Sequence, residues 1–87
     1  MAVYVDFEEI KHERMKMCHM VADTPEELHV MADRIGVPRE YAQRSRTGIL
    51  HYDLCKSKRR LAVEHGAKEV DRRTFVGITR NLRQDHG

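Results

Sequence analysis

Long apolar runs are missing from this sequence: none approaches the ~20 residues that a membrane-spanning helix needs, so no such helix is expected. The opening residues MAVYVDF lack the basic, apolar and small-residue segments of a signal peptide, and a cytosolic location is expected. Cysteine is scarce. Cys18 and Cys55 stand far apart without C-x-x-C spacing, which leaves free thiols in a reducing compartment as the expected state. Charge of one sign is scarce too, since the formal net charge is only +2. Bulk charge therefore gives no argument for nucleic acid. Tryptophan is absent, as are internal repeats, low-complexity stretches, a P-loop and H-E-x-x-H, so no fixed-spacing motif declares a reaction.

What is present is a charged but globular composition, 34% charged and 40% apolar over 87 residues. Residues 1–87 are expected to form a single domain, too short for a second core. AVYVDF alternates like a strand, and MCHMVAD reads as a second. EEIKHERMK is polar and suits a loop or short helix. Thr24-Pro25-Glu26-Glu27 is a capping box with proline at the first helical position. Leu28, Met31, Ala32 and Ile35 then follow at helical spacing, with Gly36 as the stop. A short helix is expected over PREYAQR. Another is expected over 54–65, capped by Asp53, with Leu54, Leu61 and Ala62 inward. AKEVD suits a short strand, and Phe75, Ile78 and Leu82 mark a C-terminal helix. The fold class this predicts is a small α/β domain of about three strands and three to four helices.

Polar residues collect at the predicted strand ends and helix starts, where open α/β sheets bind ligands. Asp6 lies near the end of the first strand and Asp23 at the end of the second. His51 and Asp53 precede a helix start. If both helix starts face one rim, Asp6, His19, Asp23, His51 and Asp53 converge. His51, Asp53 and His19 are then the candidate acid–base residues, since imidazole titrates near working pH. Asp6, Asp23, His51 and Asp53 are the candidate ligands of a divalent metal ion, the expected cofactor. Lys56, Arg59 and Arg60, with Tyr52, are the candidate contacts for a phosphate. The bland alternatives are a simple N-cap for Asp53, a backbone-satisfied ring for each histidine, an exposed edge position for His29 and a solvated helix face for 56–60.

The order VYVD, HMVADTPEELH leading to ADRIG, HYDL, and KRRLA…GAKEV resembles the uncharacterised bacterial and phage family called domain of unknown function 4031. The resemblance runs from Val3 to about Val70. It implies recurring polar positions at Asp6, His19, Asp23, Glu27, His29, His51, Asp53 and Arg60, a wider set than helix capping needs. Two departures stand out. The family pattern has a second aspartate where this chain has Phe7, and a tryptophan before the histidine matched by His19. The family has no established activity, so the resemblance implies a site without a reaction.

The expected function is binding of a phosphate-bearing ligand, a nucleotide or nucleic-acid end, with metal-assisted hydrolysis. A rival reading takes residues 27–46 as a helix-turn-helix, offering Arg39, Gln43, Arg44 and Arg46 to DNA. Its weakness is Ser45 at a position that should be apolar. A third class is a phage protein that binds a host protein. A thin core also makes a homodimer a reasonable expectation.

Overall fold

The structure, a computed structural model, describes residues 2–7, 10–12 and 15–85. Its elements in chain order are β1 (Val3–Val5), β2 (Ile10–His12), β3 (Met15–Ala22), α1 (Pro25–Ile35), a 3₁₀ turn (Arg39–Tyr41), β4 (Gln43–Arg44), β5 (Leu50–Cys55), α2 (Lys56–Glu64), β6 (Lys68–Glu69) and α3 (Arg72–Asp85). The strands make one mixed sheet in the order β4-β5-β3-β1-β6. β2 pairs with β3 further along the side that β1 occupies. β1 and β5 are both antiparallel to β3, and β6 is parallel to β1, so β1, β5 and β6 share a direction. The α/β class is as expected, with more strands than the three foreseen.

Alternation explains the layering. Val3 and Val5, Cys18, Met20 and Ala22, and Tyr52 and Leu54 all point to one face of the sheet and are buried there. α1 and α2 cover that face with Leu28, Met31, Ala32, Ile35 and Ala62. α1 forms where the capping box placed it. Thr24 Oγ1 accepts the Glu27 N–H at 3.2 Å and donates to the Glu27 carboxylate at 2.9 Å. Gly36 closes the helix at φ +78°, in the left-handed region, and Lys58 Nζ donates to the Ile35 carbonyl at 2.9 Å.

Four local expectations are corrected. The described parts of EEIKHERMK are extended (Ile10–His12 and the start of β3), because they pair with each other as a hairpin; residues 8, 9, 13 and 14 lie outside the described set. PREYAQR gives a single 3₁₀ turn followed by β4, so residues 27–46 do not form two packed helices and the helix-turn-helix reading loses its recognition helix. LHYDLC is a strand rather than a helix start; α2 begins only at Lys56, and Asp53 caps nothing. Leu61 is not inward but lies at the surface, while Ala62 is fully buried. No helix among the described residues is long and apolar enough to cross a membrane.

Candidate functional site

The second face of the sheet carries the chemistry, and strand register explains why. His19 and Asp53 are direct partners across β3 and β5. The Asp6 N–H donates to the His19 carbonyl at 3.2 Å, carrying the β1–β3 ladder one residue further. Asp6, His19 and Asp53 thus form one row across three strands, on the side away from α1 and α2. His51 stands two residues before Asp53 and so shares its face. Three short segments, far apart in sequence, place four ionisable side chains together.

Each histidine is held through Nδ1. The Asp6 carboxylate is buried, 2% exposed, and accepts from the His19 backbone N–H at 2.9 Å and from His19 Nδ1 at 2.8 Å. A carboxylate there assigns the ring proton to Nδ1 and leaves Nε2 outward. His51 Nδ1 donates to the Ile49 carbonyl at 3.1 Å, which fixes the same tautomer. Both Nε2 atoms then face one oxygen: Asp53 Oδ1 lies 3.9 Å from that of His19 and 3.7 Å from that of His51. These separations are too long for direct hydrogen bonds. The two rings meet edge to face with centroids 5.9 Å apart.

A cleft of about 330 Å³ opens over this row, with Asp6, His19 and His51 on its floor. α3 forms one wall through Arg72, Phe75, Val76 and Thr79, and the turn after β4 forms another through Ser45 and Thr47. The Phe75 ring sits 6.1 Å from the His19 ring. Asp53 borders a separate hollow together with Met17, Gln43 and Cys55, so it stands in the partition between the two.

The other expected site residues lie elsewhere. Asp23 is four residues along β3 from His19, roughly 13 Å at strand rise. It accepts from the Ala2 N–H at 2.7 Å and the Tyr4 hydroxyl at 3.1 Å, tying down the start of β1. Tyr52 is fully buried on the opposite face, its hydroxyl 2.7 Å from His29 Nδ1, so it cannot contact a ligand in the cleft and His29 is not an exposed edge residue. Arg59 is a clasp: Nε donates to the Asp6 carbonyl at 2.9 Å, Nη1 to Glu69 at 2.8 Å, and its guanidinium lies 4.8 Å from the Phe7 ring centroid. Phe7, where a second aspartate was expected, thus serves as the platform for this arginine. Lys56, Arg59 and Arg60 line a different cavity with Phe7 and Cys18, away from the histidines. Among the described residues, the arginine lining the cleft is instead Arg72. Its position on an amphipathic C-terminal helix was readable, but which face of the sheet that helix would cover was not.

Of the two thiols, Cys18 is buried and pushed up to about 11, by desolvation first and then by the Asp6 charge. Cys55 is partly exposed and shifted down, chiefly by the Ser57 hydroxyl at 3.3 Å, with backbone N–H groups at the start of α2 adding to it.

As placed, no three His, Cys, Asp or Glu groups among the described residues are set to hold a metal ion. The 3.7 and 3.9 Å gaps exceed the about 3–3.4 Å between neighbouring ligand atoms at ordinary zinc distances. Each Asp6 oxygen already accepts one hydrogen bond from His19.

Neither the curated proteins nor the solved structures gave a match to this chain. A family model described as "Protein of unknown function (DUF4031)" matches residues 3–82, and the chain belongs to that family.

Proposed function

We propose that the cleft binds a phosphate-bearing ligand, a nucleotide or nucleic-acid end, and that His19 and His51 act on it as an acid–base pair. The observation that carries this is the common aim of the two Nε2 atoms at Asp53 Oδ1, with both Nδ1 positions already occupied. One imidazole takes the proton of the attacking hydroxyl or water, and the other returns a proton to the leaving oxygen. Asp6 positions His19. Asp53 Oδ1 stands within 4 Å of both rings as a counter-charge. Arg72 faces the phosphate, and Phe75 with Val21 and Val76 supplies the apolar wall for a base or aryl group.

Hydrolysis of aryl phosphate mono- and diesters and of a nucleotide panel tests it. His19→Ala and His51→Ala are each expected to lose about 10²–10⁴-fold in rate with melting temperature nearly unchanged, and the wild-type profile should be bell-shaped in pH. Turnover that survives both substitutions would overturn the assignment.

Metal-assisted hydrolysis is a second reading, favoured by one observation. Histidines whose Nδ1 donates to a carboxylate or a carbonyl are those typically found on metal ions. It requires the Asp53 carboxylate to move inward by a few tenths of an ångström. On this reading, chelator-treated protein recovers turnover with Mn²⁺ or Mg²⁺; acid–base catalysis alone leaves the rate unchanged by either treatment.

A further inference from the structure

The cleft does not end at the histidines. Thr47, Ile49, Val76 and Thr79 line both it and a second hollow of about 190 Å³, so the two make one groove between α3 and the turn after β4. Arg72 lines the part that holds the histidines, and Arg80 lines the extension. Eight residues of helix separate these arginines, about 12 Å at 1.5 Å per residue. On the opposite bank, Ser45 and Thr47 line the histidine end of the groove, and the Arg44 guanidinium donates to the Gly48 carbonyl at 3.0 Å, bracing the turn that carries them. Among the described residues the one carboxylate lining the groove is Asp6, and His19 holds both its oxygens. A near-neutral chain has thus put two cations along one bank beside its histidines.

Building on the reading of the cleft as a phosphate site, we propose that this groove seats a single nucleic-acid strand. Arg72 and Arg80 contact successive parts of its backbone, and an unpaired base lies against Phe75. About 12 Å accommodates roughly three nucleotides at the ~3.4 Å rise of stacked bases. A single strand is favoured over a duplex because Phe75 can receive a base only when that base is unpaired. The strand delivers one phosphate to the histidine pair, while the others set affinity.

The test is fluorescence anisotropy with labelled oligothymidylate about 12 nucleotides long, within the ~4–16-nucleotide range of single-strand sites. Thymidine monophosphate serves as competitor. The strand is expected to bind at least tenfold more tightly than the mononucleotide at about 50 mM salt. Log affinity against log salt should fall with a slope of about −1.4, for the two phosphates contacted by Arg72 and Arg80. Arg80→Gln should flatten that slope by about 0.7 and weaken the strand several-fold, with mononucleotide binding unchanged. Arg34→Gln removes an equal charge from α1, on the other side of the sheet, and should change neither. Equal loss in Arg34→Gln and Arg80→Gln would mean diffuse attraction and overturn the groove, as would a strand that binds no better than the mononucleotide. In both cases retained mononucleotide binding leaves the phosphate site standing. Failure of the wild type to bind either probe removes both proposals.

Discussion

Asp6 has no exposed surface to speak of, yet it determines what the neighbouring histidine can do. A buried carboxylate must be satisfied, and the backbone N–H and ring of His19 satisfy it together. Replacing it with asparagine keeps the shape and offers the ring an amide that can act as acceptor or donor, so the imidazole is no longer confined to one tautomer. Asp6→Asn is expected to cut phosphoester turnover about 10- to 100-fold, the usual scale for a partner that orients a functional histidine. It should also displace the acidic limb of the pH profile, a change that a merely structural aspartate would not produce. The companion residues were legible as types: aspartates and histidines recurring where strands were expected to end. Tyr52 misled because sequence adjacency to His51 and Asp53 suggested a shared role, whereas in a strand adjacency puts a side chain on the other face.

At the scale of elements, α1 and β5 make opposite cases. Every signal for α1 was local, from Thr24 to Gly36, and local signals survive folding intact. Its ends are correspondingly vulnerable. Thr24→Ala removes the side chain that accepts the Glu27 N–H and should cost about 1 kcal/mol. Gly36→Ala, strained at φ +78°, should cost about 1–2 kcal/mol. For a domain of this size each kcal/mol corresponds to about 4–8 °C in melting temperature, which thermal denaturation followed by circular dichroism would measure. β5 had an equally plain pattern, Leu50-Tyr52-Leu54 against His51-Asp53-Cys55. It was obscured because Asp53 also makes a good N-cap and the helix that follows is strongly polar. Pairing with β3 decided between the readings, and that partner lies more than thirty residues away. The two-residue strand β4 likewise exists through its partner and leaves almost no trace in its own sequence, whereas β6 falls inside AKEVD, where a short strand was expected.

The whole molecule is a sheet with an apolar face under two helices and a polar face partly roofed by a third. The roof was the least predictable part, since α3 carries an apolar stripe that suits several surfaces. Burial of titratable groups gives the fold a direction of pH sensitivity. Cys18, pushed up to about 11 by burial, favours its neutral form in the folded state. Its contribution is complete below pH about 9 and is lost as pH rises toward 11. Tyr4 and Tyr52 are shifted upward as well, chiefly by desolvation, and add to the alkaline loss. Denaturant midpoints should therefore fall through this range, less steeply in Cys18→Ala than in the wild type. A further property follows from where β1 lies. β1 fills the slot between β3 and β6, so among the described residues β6 pairs with the sheet only through it. A break that freed β1 would remove a keystone. β3 and β6 would then share no hydrogen-bonded edge.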